Sequence, residues 1–234
     1  VLEGYRLIDE AIKVGADLDM LFMTPDFNQT SKGKRTVKSL SEDVTIKIIA
    51  KSLLKKVADT VNPQGIIAIG KKINYDPDNL QGEASNILIL DRVQDPGNMG
   101  TLIRTAAAAG IDSIIALKGS VDIYNLKVLR ATMGAIFRIP IIDKMKLADL
   151  NDFLLNSDKE FQIVCAEPSS DKYYYETKYQ KPLMLVIGNE AHGVRDELIG
   201  LSDFSIKIPL QNNVESLNAA MAGGIILYNV MYNN

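Results

Sequence analysis

Residues 86–110 read NILILDRVQDPGNMGTLIRTAAAAG. The opening eight residues form a near-continuous apolar run, the pattern of a strand buried on both faces. Pro96 and Gly97 then make a turn, and Asn98 is of the type that caps a following helix. From 97 to 110 the spacing predicts a helix; Ala106 to Ala109 let it pack tightly, and Gly110 ends it. The strand, turn and helix then recur downstream. Strands are predicted in DSIIALKG, IFRIPII, FQIVCAE, PLMLVIGNE and FSIKIPL. Helices are predicted in IYNLKVLRATMG, LADLNDFLLNS, VRDELIGL and SLNAAMAGGIILYNVMY. Strands alternating with helices give an α/β fold with a mostly parallel sheet covered on both faces. No fixed-period repeat is present.

Working back toward the N-terminus, NYDPDNLQGEAS is rich in turn formers and reads as a linker, placed at 76–85. Before it, residues 1–75 form a small α/β unit. Residues 1–15 read as a helix with an apolar stripe (Leu2, Tyr5, Leu7, Ile8, Ala11, Ile12) stopped by Gly15. DMLFMT reads as a strand, TPDFNQTSKGKRT as a loop, TIKIIAKSLLKKVADT as a helix and GIIAIGKKI as a strand. Because Val1 falls within what reads as a helix, an N-terminal portion is expected to be missing. The second, larger unit is taken as 86–234.

The 234 residues carry a net charge of −3, which argues against a protein that coats nucleic acid nonspecifically but not against one that reads a folded RNA through a local patch. One such patch is SKGKRTVK, where Lys32, Lys34, Arg35 and Lys38 stand with no acid among them. Taken alone, a basic cluster of this size is more often a solvated loop. The single cysteine, Cys165, excludes an internal disulfide and reads as a buried strand thiol. With one histidine, His192, no His/Cys zinc set can form, and no metal is expected. No apolar stretch is long enough to span a bilayer, and no signal peptide is visible, so the expected setting is cytoplasmic.

Ligands of open α/β sheets collect at the carboxyl ends of the strands. Three such ends carry unusual residues: Asn98, Gly100 and Arg104 after the first strand; Gly188, Asn189, Glu190 and Gly193 after PLMLVI; Ile208, Pro209, Ser216, Leu217 and Asn218 after FSIK. Each has an ordinary structural explanation. Asn98 and Ser216 suit helix caps, the glycines suit a tight turn, and Arg104 suits an exposed helix face. The phosphate-binding patterns G-x-G-x-x-G and G-x-x-x-x-G-K-[ST] and the nucleophile elbow G-x-S-x-G are absent.

Together and in this order, the three segments resemble the motifs of the SpoU/TrmH branch of the SPOUT methyltransferases. Asn98, Gly100, Arg104, Thr105 and Ala106 match N-x-G-x-x-x-R-T-A; Gly188, Asn189, Glu190 and Gly193 match G-N-E-x-x-G; Ile208, Pro209, Ser216, Leu217 and Asn218 match I-P-x(n)-S-L-N. RATMGAIFRIPI is also similar to a family segment, with Thr132 where serine is expected. The resemblance covers 86–234 and implies a parallel α/β sheet whose C-terminal part is tied in a deep trefoil knot. It implies S-adenosylmethionine as cofactor, held around Gly188, Asn189, Ile208 and Leu217. It also implies transfer of a methyl group to a ribose 2′-hydroxyl of RNA, with Arg104, Asn98, Glu190, Ser216 and Asn218 as the catalytic set. Arg104 is either a general base or the residue that stabilises a developing alkoxide, and Glu190 either orients Arg104 or accepts the proton. A homodimer through the last helix is implied as well. Residues 1–75 resemble the small ribosomal-protein-like α/β domain of members that act on ribosomal RNA, with Lys32, Lys34, Arg35 and Lys38 gripping the RNA. The alternatives are a transfer-RNA 2′-O-methyltransferase and an inactive RNA-binding protein of the same fold.

Overall fold

In the computed structural model, which describes residues 1–77, 86–212 and 214–232, the run NILIL is β5 (Asn86–Leu90), and all five of its residues are buried. It lies between β6 (Ser113–Leu117) and β9 (Leu183–Ile187), which are also buried throughout. With β7 (Ile141–Met145), β8 (Gln162–Ala166) and β10 (Phe204–Ile206) these form a six-stranded sheet of order β10-β8-β9-β5-β6-β7. Every pairing in it is parallel. Alternate residues feed opposite faces. Leu88, Leu90, Leu185 and Ile187 pack with Leu102, Ile103 and Ala106 of α5 (Pro96–Ala109) and with Ile226, Leu227 and Val230 of α9 (Ala219–Tyr232). Ile87, Ile89, Met184 and Val186 pack with Leu150 and Phe153 of α7 (Leu147–Asn156) and with Leu198 of α8 (Asp196–Leu201). Each fully buried Leu or Ile contributes roughly 1.5–3 kcal/mol to the folded state. Cys165 sits in this second layer, where burial pushes its thiol up to about 11, so it is an inert structural residue as expected.

Several helix boundaries differ from the expected ones. Asp95, not Asn98, caps α5: its carboxylate accepts the Asn98 N–H at 2.8 Å, and Pro96 takes the first helical position. That leaves the Asn98 side chain free for other work. Similarly, Asn218 and not Ser216 caps α9, its Oδ1 accepting from the N–H groups of Ala220 (3.0 Å) and Met221 (3.2 Å). The strand expected over IFRIPII begins only at Ile141. Before it, α6 (Leu126–Thr132) ends in left-handed Met133 and Gly134, and Ala135–Phe137 is a single 3₁₀ turn.

The N-terminal unit is built on a four-stranded sheet in which residues 2–3, 66–70, 18–23 and 45–48 lie side by side in that order. The first helix, α1 (Tyr5–Lys13), follows a two-residue strand, β1 (Leu2–Glu3), so Val1 does not stand inside a helix. The segment expected as a loop after β2 (Leu18–Met23) is helical: α2 (Pro25–Gln29) and α3 (Ser31–Ser39). Successive threonine caps explain it, since Thr24 Oγ1 accepts from Phe27 N–H and Thr30 Oγ1 from Gly33 N–H. Gly33 is there for close approach, because a Cβ would stand 2.2 Å from the Phe27 carbonyl oxygen. The helix expected over 45–60 divides in two. β-Branched Thr45–Ile48 is β3, parallel to β2, and only Lys51–Val57 is helical, as α4. β4 (Ile66–Gly70) completes the sheet. Of the linker expected at 76–85, residues 78–85 lie outside the described residues. The two units share one apolar cluster and are joined by Arg130–Asp59 (2.7 Å) and by the Tyr124 hydroxyl, which donates to the Ile73 carbonyl at 2.7 Å.

Candidate active site

The parallel strands present their carboxyl ends on one edge, and the loops that leave β5, β9 and β10 meet there. After β9 the chain turns at Gly188, where a Cβ would come within 2.2–2.5 Å of backbone atoms of Gly193 and Val194. Asn189 and Gly193 close the turn through reciprocal backbone hydrogen bonds of 2.9 and 3.0 Å. The Asn189 side chain braces it from both ends. Its Oδ1 accepts from Ala191 and His192 N–H, and its Nδ2 donates to the Arg92 carbonyl at 2.8 Å.

The turn directs Glu190 at the loop after β5. Glu190 accepts from the N–H groups of Gln94 (3.3 Å) and Asp95 (3.1 Å) and from Asn98 Nδ2 (3.0 Å). Burial alone would raise its pKa, but the hydrogen bonds from Asn98 and these backbone groups outweigh it and hold the carboxyl below the usual glutamate range. Asn98 in turn accepts at Oδ1 from Asn218 Nδ2 at 2.8 Å. A continuous chain Glu190–Asn98–Asn218 therefore ties the loop after β5 to two segments that stand 92 and 120 residues away in sequence. Both the oxygen and the nitrogen of the Asn98 side-chain amide are committed within it, and Asn98 is buried.

The other two residues of the expected catalytic set stand apart from this chain. Arg104 is on the exposed face of α5 with no hydrogen bond or ion pair to the described residues, and Glu190 does not touch it. Ser216 is exposed in the loop before α9. Among the described residues, no group of three or more His, Cys, Asp or Glu is placed to hold a metal ion.

Beside the chain lies a cavity of about 460 Å³ at the ends of β8, β9 and β10. That volume falls in the range of small-molecule sites. Gly188, Asn189, Ile208 and Leu217, the residues expected to hold a cofactor, all line it, as do Glu190 and Ser216. Apolar walls from Ile187, Ile206, Ile208 and Ile226 suit a planar ring. Three acidic residues, Glu167, Glu190 and Glu215, are among its lining against one lysine, Lys207, a balance that suits a ligand carrying positive charge.

Two residues of this edge were missed by the sequence reading. Glu167 follows β8; burial pushes its carboxyl above the usual range, one hydrogen bond from Val194 N–H (2.6 Å) opposes that, and the charges of Asp196 and Asp91 add to it. Gly193, at φ +65°, leaves room for it, since a Cβ there would lie 2.9 Å from Glu167 Oε1. Asp91 is fully buried at the end of β5. It accepts from Arg195 Nε (2.7 Å), Arg195 N–H (3.0 Å) and Arg92, locking the loop after β9 to the central strand. An acid closing an apolar strand run marks both positions in the sequence, without showing what either acid does.

The four basic residues lie on α3, not in a loop, and all are exposed. Lys32 and Arg35 sit over the Tyr5 ring at 5.1 and 5.7 Å, and Arg35 also pairs with Asp9 at 3.7 Å. Lys34 and Lys38, one helical turn apart, have no ring or carboxylate partner of this kind among the described residues.

Comparison with known proteins gives concordant matches. The model of the SpoU rRNA Methylase family matches residues 85–228, and that of the MRM3-like substrate binding domain matches residues 1–68. The chain is 28% identical to the 23S rRNA (guanosine(2553)-2′-O)-methyltransferase RlmP of Bacillus subtilis, over 98% of this chain and 87% of that protein. It is 32% identical to the mitochondrial rRNA methyltransferase 3A of Danio rerio, over 97% of this chain and 62% of that longer protein. Among solved structures, the AdoMet-bound rRNA methyltransferase from Sinorhizobium meliloti superposes with a TM-score of 0.81 at 29% identity, covering 97% of this chain and 85% of that one. The SpoU methyltransferase AviRb from Streptomyces viridochromogenes, in complex with AdoMet, superposes with a TM-score of 0.90 at 23% identity, over 99% of this chain and 89% of that one. At that identity the likeness is one of fold.

Proposed function

Because the chain belongs to the SpoU rRNA Methylase family, we propose that it is an S-adenosylmethionine-dependent methyltransferase acting on a ribose 2′-hydroxyl of ribosomal RNA. The observation that carries this reading is the Glu190–Asn98–Asn218 chain beside a cavity lined by Gly188, Asn189, Ile208 and Leu217. The residues present fit the cofactor: an apolar wall, backbone groups at the Gly188–Gly193 turn, and more acidic than basic residues lining the cavity, which suits a cationic sulfonium. When bound, S-adenosylmethionine supplies a methyl group already activated on a sulfonium, so the protein's task is alignment and charge stabilisation. Glu190, held ionised, fixes Asn98; Asn98 fixes Asn218; the loops they anchor form one wall of the cavity. Arg104, exposed and unpaired among the described residues, grips an RNA phosphate and stabilises the alkoxide that develops on the ribose, while the hydroxyl proton passes to solvent water, because a guanidinium does not lose its own proton readily. Ser216 faces the same cavity and positions the ribose.

The finer architecture follows the same reading. We assign residues 1–75 to substrate binding and 86–234 to catalysis. The C-terminal segment is inferred to thread a deep trefoil knot, which accords with β9 lying inside the sheet between β8 and β5. A homodimer through α9 is supported by its exposed stripe of Met221, Tyr228 and Tyr232, which lies opposite the buried stripe of Ile226, Leu227 and Val230. No helix among the described residues is long and apolar enough to cross a membrane, and the compartment we assign is the cytoplasm, which a free, buried cysteine suits.

Methyl transfer from labelled S-adenosylmethionine to unmodified ribosomal and transfer RNA, followed by nucleoside analysis, tests the function. A 2′-O-methyl nucleoside in ribosomal RNA is the expected result. Label in transfer RNA alone would reassign the substrate, and cofactor binding with no label in either would leave an RNA-binding protein. The role of α3 has its own test. Lys34→Glu with Lys38→Glu should weaken binding to ribosomal RNA and lower its salt dependence by roughly one logarithmic unit for each phosphate the helix no longer neutralises. Cofactor affinity should not change. Unaltered RNA binding would reduce α3 to a solvated face.

A further inference from the structure

Residues 170–176 run beside the end of β10. Lys207 N–H donates to the Lys172 carbonyl (2.8 Å), Tyr174 N–H to the Lys207 carbonyl (3.0 Å), and Ser170 Oγ to the Ser205 carbonyl (2.6 Å). The segment carries three consecutive tyrosines. The rings of Tyr173 and Tyr175 stack almost parallel, with centroids 5.6 Å apart and planes 3° apart, and Tyr174 meets Tyr175 edge-on at 5.2 Å. Two ammonium groups lie over aromatic faces of the same surface: Lys207 Nζ is 5.3 Å from the Tyr173 ring and Lys172 Nζ 4.4 Å from the Phe204 ring. Tyr179 already holds the segment in place, being buried and donating its hydroxyl to the Tyr174 carbonyl at 2.6 Å. Tyr175, by contrast, is 51% exposed, so packing does not account for it.

We propose that Tyr175, stacked on Tyr173 and flanked by Lys172 and Lys207, is a platform for an unpaired base of the substrate RNA, next to the nucleotide that is methylated. This rests on the RNA methyltransferase reading. The placement follows from Lys207, which lines the cofactor cavity and also reaches the tyrosine stack. The chemistry follows from the combination of parts. An aromatic face accepts any base, and adjacent ammonium groups meet the phosphates on either side of it. The exposed apolar stripe of α9 is a different kind of surface, without lysines, and Tyr174, not Tyr175, lines the groove beside that helix.

Three variants of the full chain test the platform: Tyr175→Ala, Tyr175→Phe and Lys172→Gln, each titrated with unmodified ribosomal RNA and, separately, with S-adenosylmethionine. Tyr175→Ala should bind the RNA roughly tenfold more weakly. Tyr175→Phe, which keeps the aromatic face, should bind as the wild type does, and Lys172→Gln should reduce the salt slope by about one unit. Cofactor affinity and sedimentation should be unchanged in all three. Wild-type affinity in Tyr175→Ala would overturn the platform and leave the methyltransferase reading intact. A change in sedimentation of Tyr175→Ala would overturn it in favour of an interface between copies of the chain. Failure of the wild type itself to bind RNA would overturn both readings.

Discussion

Arg104→Ala should bind S-adenosylmethionine with the affinity of the wild type and transfer methyl groups at least roughly a hundredfold more slowly. The first half follows from the placement of the residue. Arg104 is exposed, makes no hydrogen bond or ion pair to the described residues, and does not line the cofactor cavity. Truncating such a side chain changes stability by only about 0.5 kcal/mol in either direction. The second half follows from the reaction. Removing one preorganised group that stabilises developing negative charge costs on the order of 100- to 1,000-fold in rate. Arg104→Lys separates the two parts of the role. It retains the charge but loses the planar fork that grips a phosphate, so partial activity with weakened RNA binding is expected. Single-turnover methyl transfer to ribosomal RNA, with calorimetry for the cofactor, reads both halves. Near-normal turnover in Arg104→Ala would remove the residue from the mechanism.

How much of this is legible in the sequence depends on whether a signal is local. β5, α5 and the stop at Gly110 are readable because four buried apolar residues, a Pro-containing turn and an αL glycine act within one stretch of chain. The parallel sheet follows from alternation of such units. α3 reads as a loop because polar residues and Gly33 dominate it. What makes it a helix is the Thr30 cap and a close approach to Phe27, and the latter exists only once the helices have packed. β3 is hidden in a longer apolar pattern, although Ile46 and Ile48 alternate with period two. At the site, the motif residues stand in order, but their roles do not show. Asn98 and Ser216 both look like caps. The structure gives the capping to Asp95 and Asn218, and Asn98 instead bridges Glu190 and Asn218. Asp91 and Glu167 cannot be weighed in sequence, because what makes them important is Arg195, Val194 and Gly193, residues 26 to 104 positions away.

Gly188→Ala should reduce S-adenosylmethionine affinity by roughly tenfold or more and lower the thermal midpoint, whereas Gly200→Ala, twelve residues on, should bind normally and melt slightly higher. Both positions lose a glycine, so the contrast isolates space. At Gly188 the new Cβ would meet the Gly193 carbonyl carbon at 2.2 Å, the Val194 nitrogen at 2.3 Å and the Gly193 oxygen at 2.5 Å. All three are backbone, so no side chain can rotate away. Relief requires the 193–194 segment to move, and with it the Asn189–Gly193 pair that closes the turn. Glu190 would then leave Asn98, and the carboxylate of Glu167 would lose Val194 N–H. Overpacking of this kind typically costs about 1–3 kcal/mol. For a chain of this length that corresponds to a fall on the order of 5 °C. The cofactor loses more than stability does, because Gly188, Asn189 and Glu190 form one wall of its cavity. Around Gly200 nothing lies within 4 Å of the added methyl group, and the residue is in α8, so the gain is that of alanine over glycine in an exposed helix, at most about 1 kcal/mol. Thermal unfolding with and without S-adenosylmethionine compares the two variants in one experiment. A Gly188→Ala protein that the cofactor stabilises as fully as it does the wild type would show that this turn is not part of the binding site.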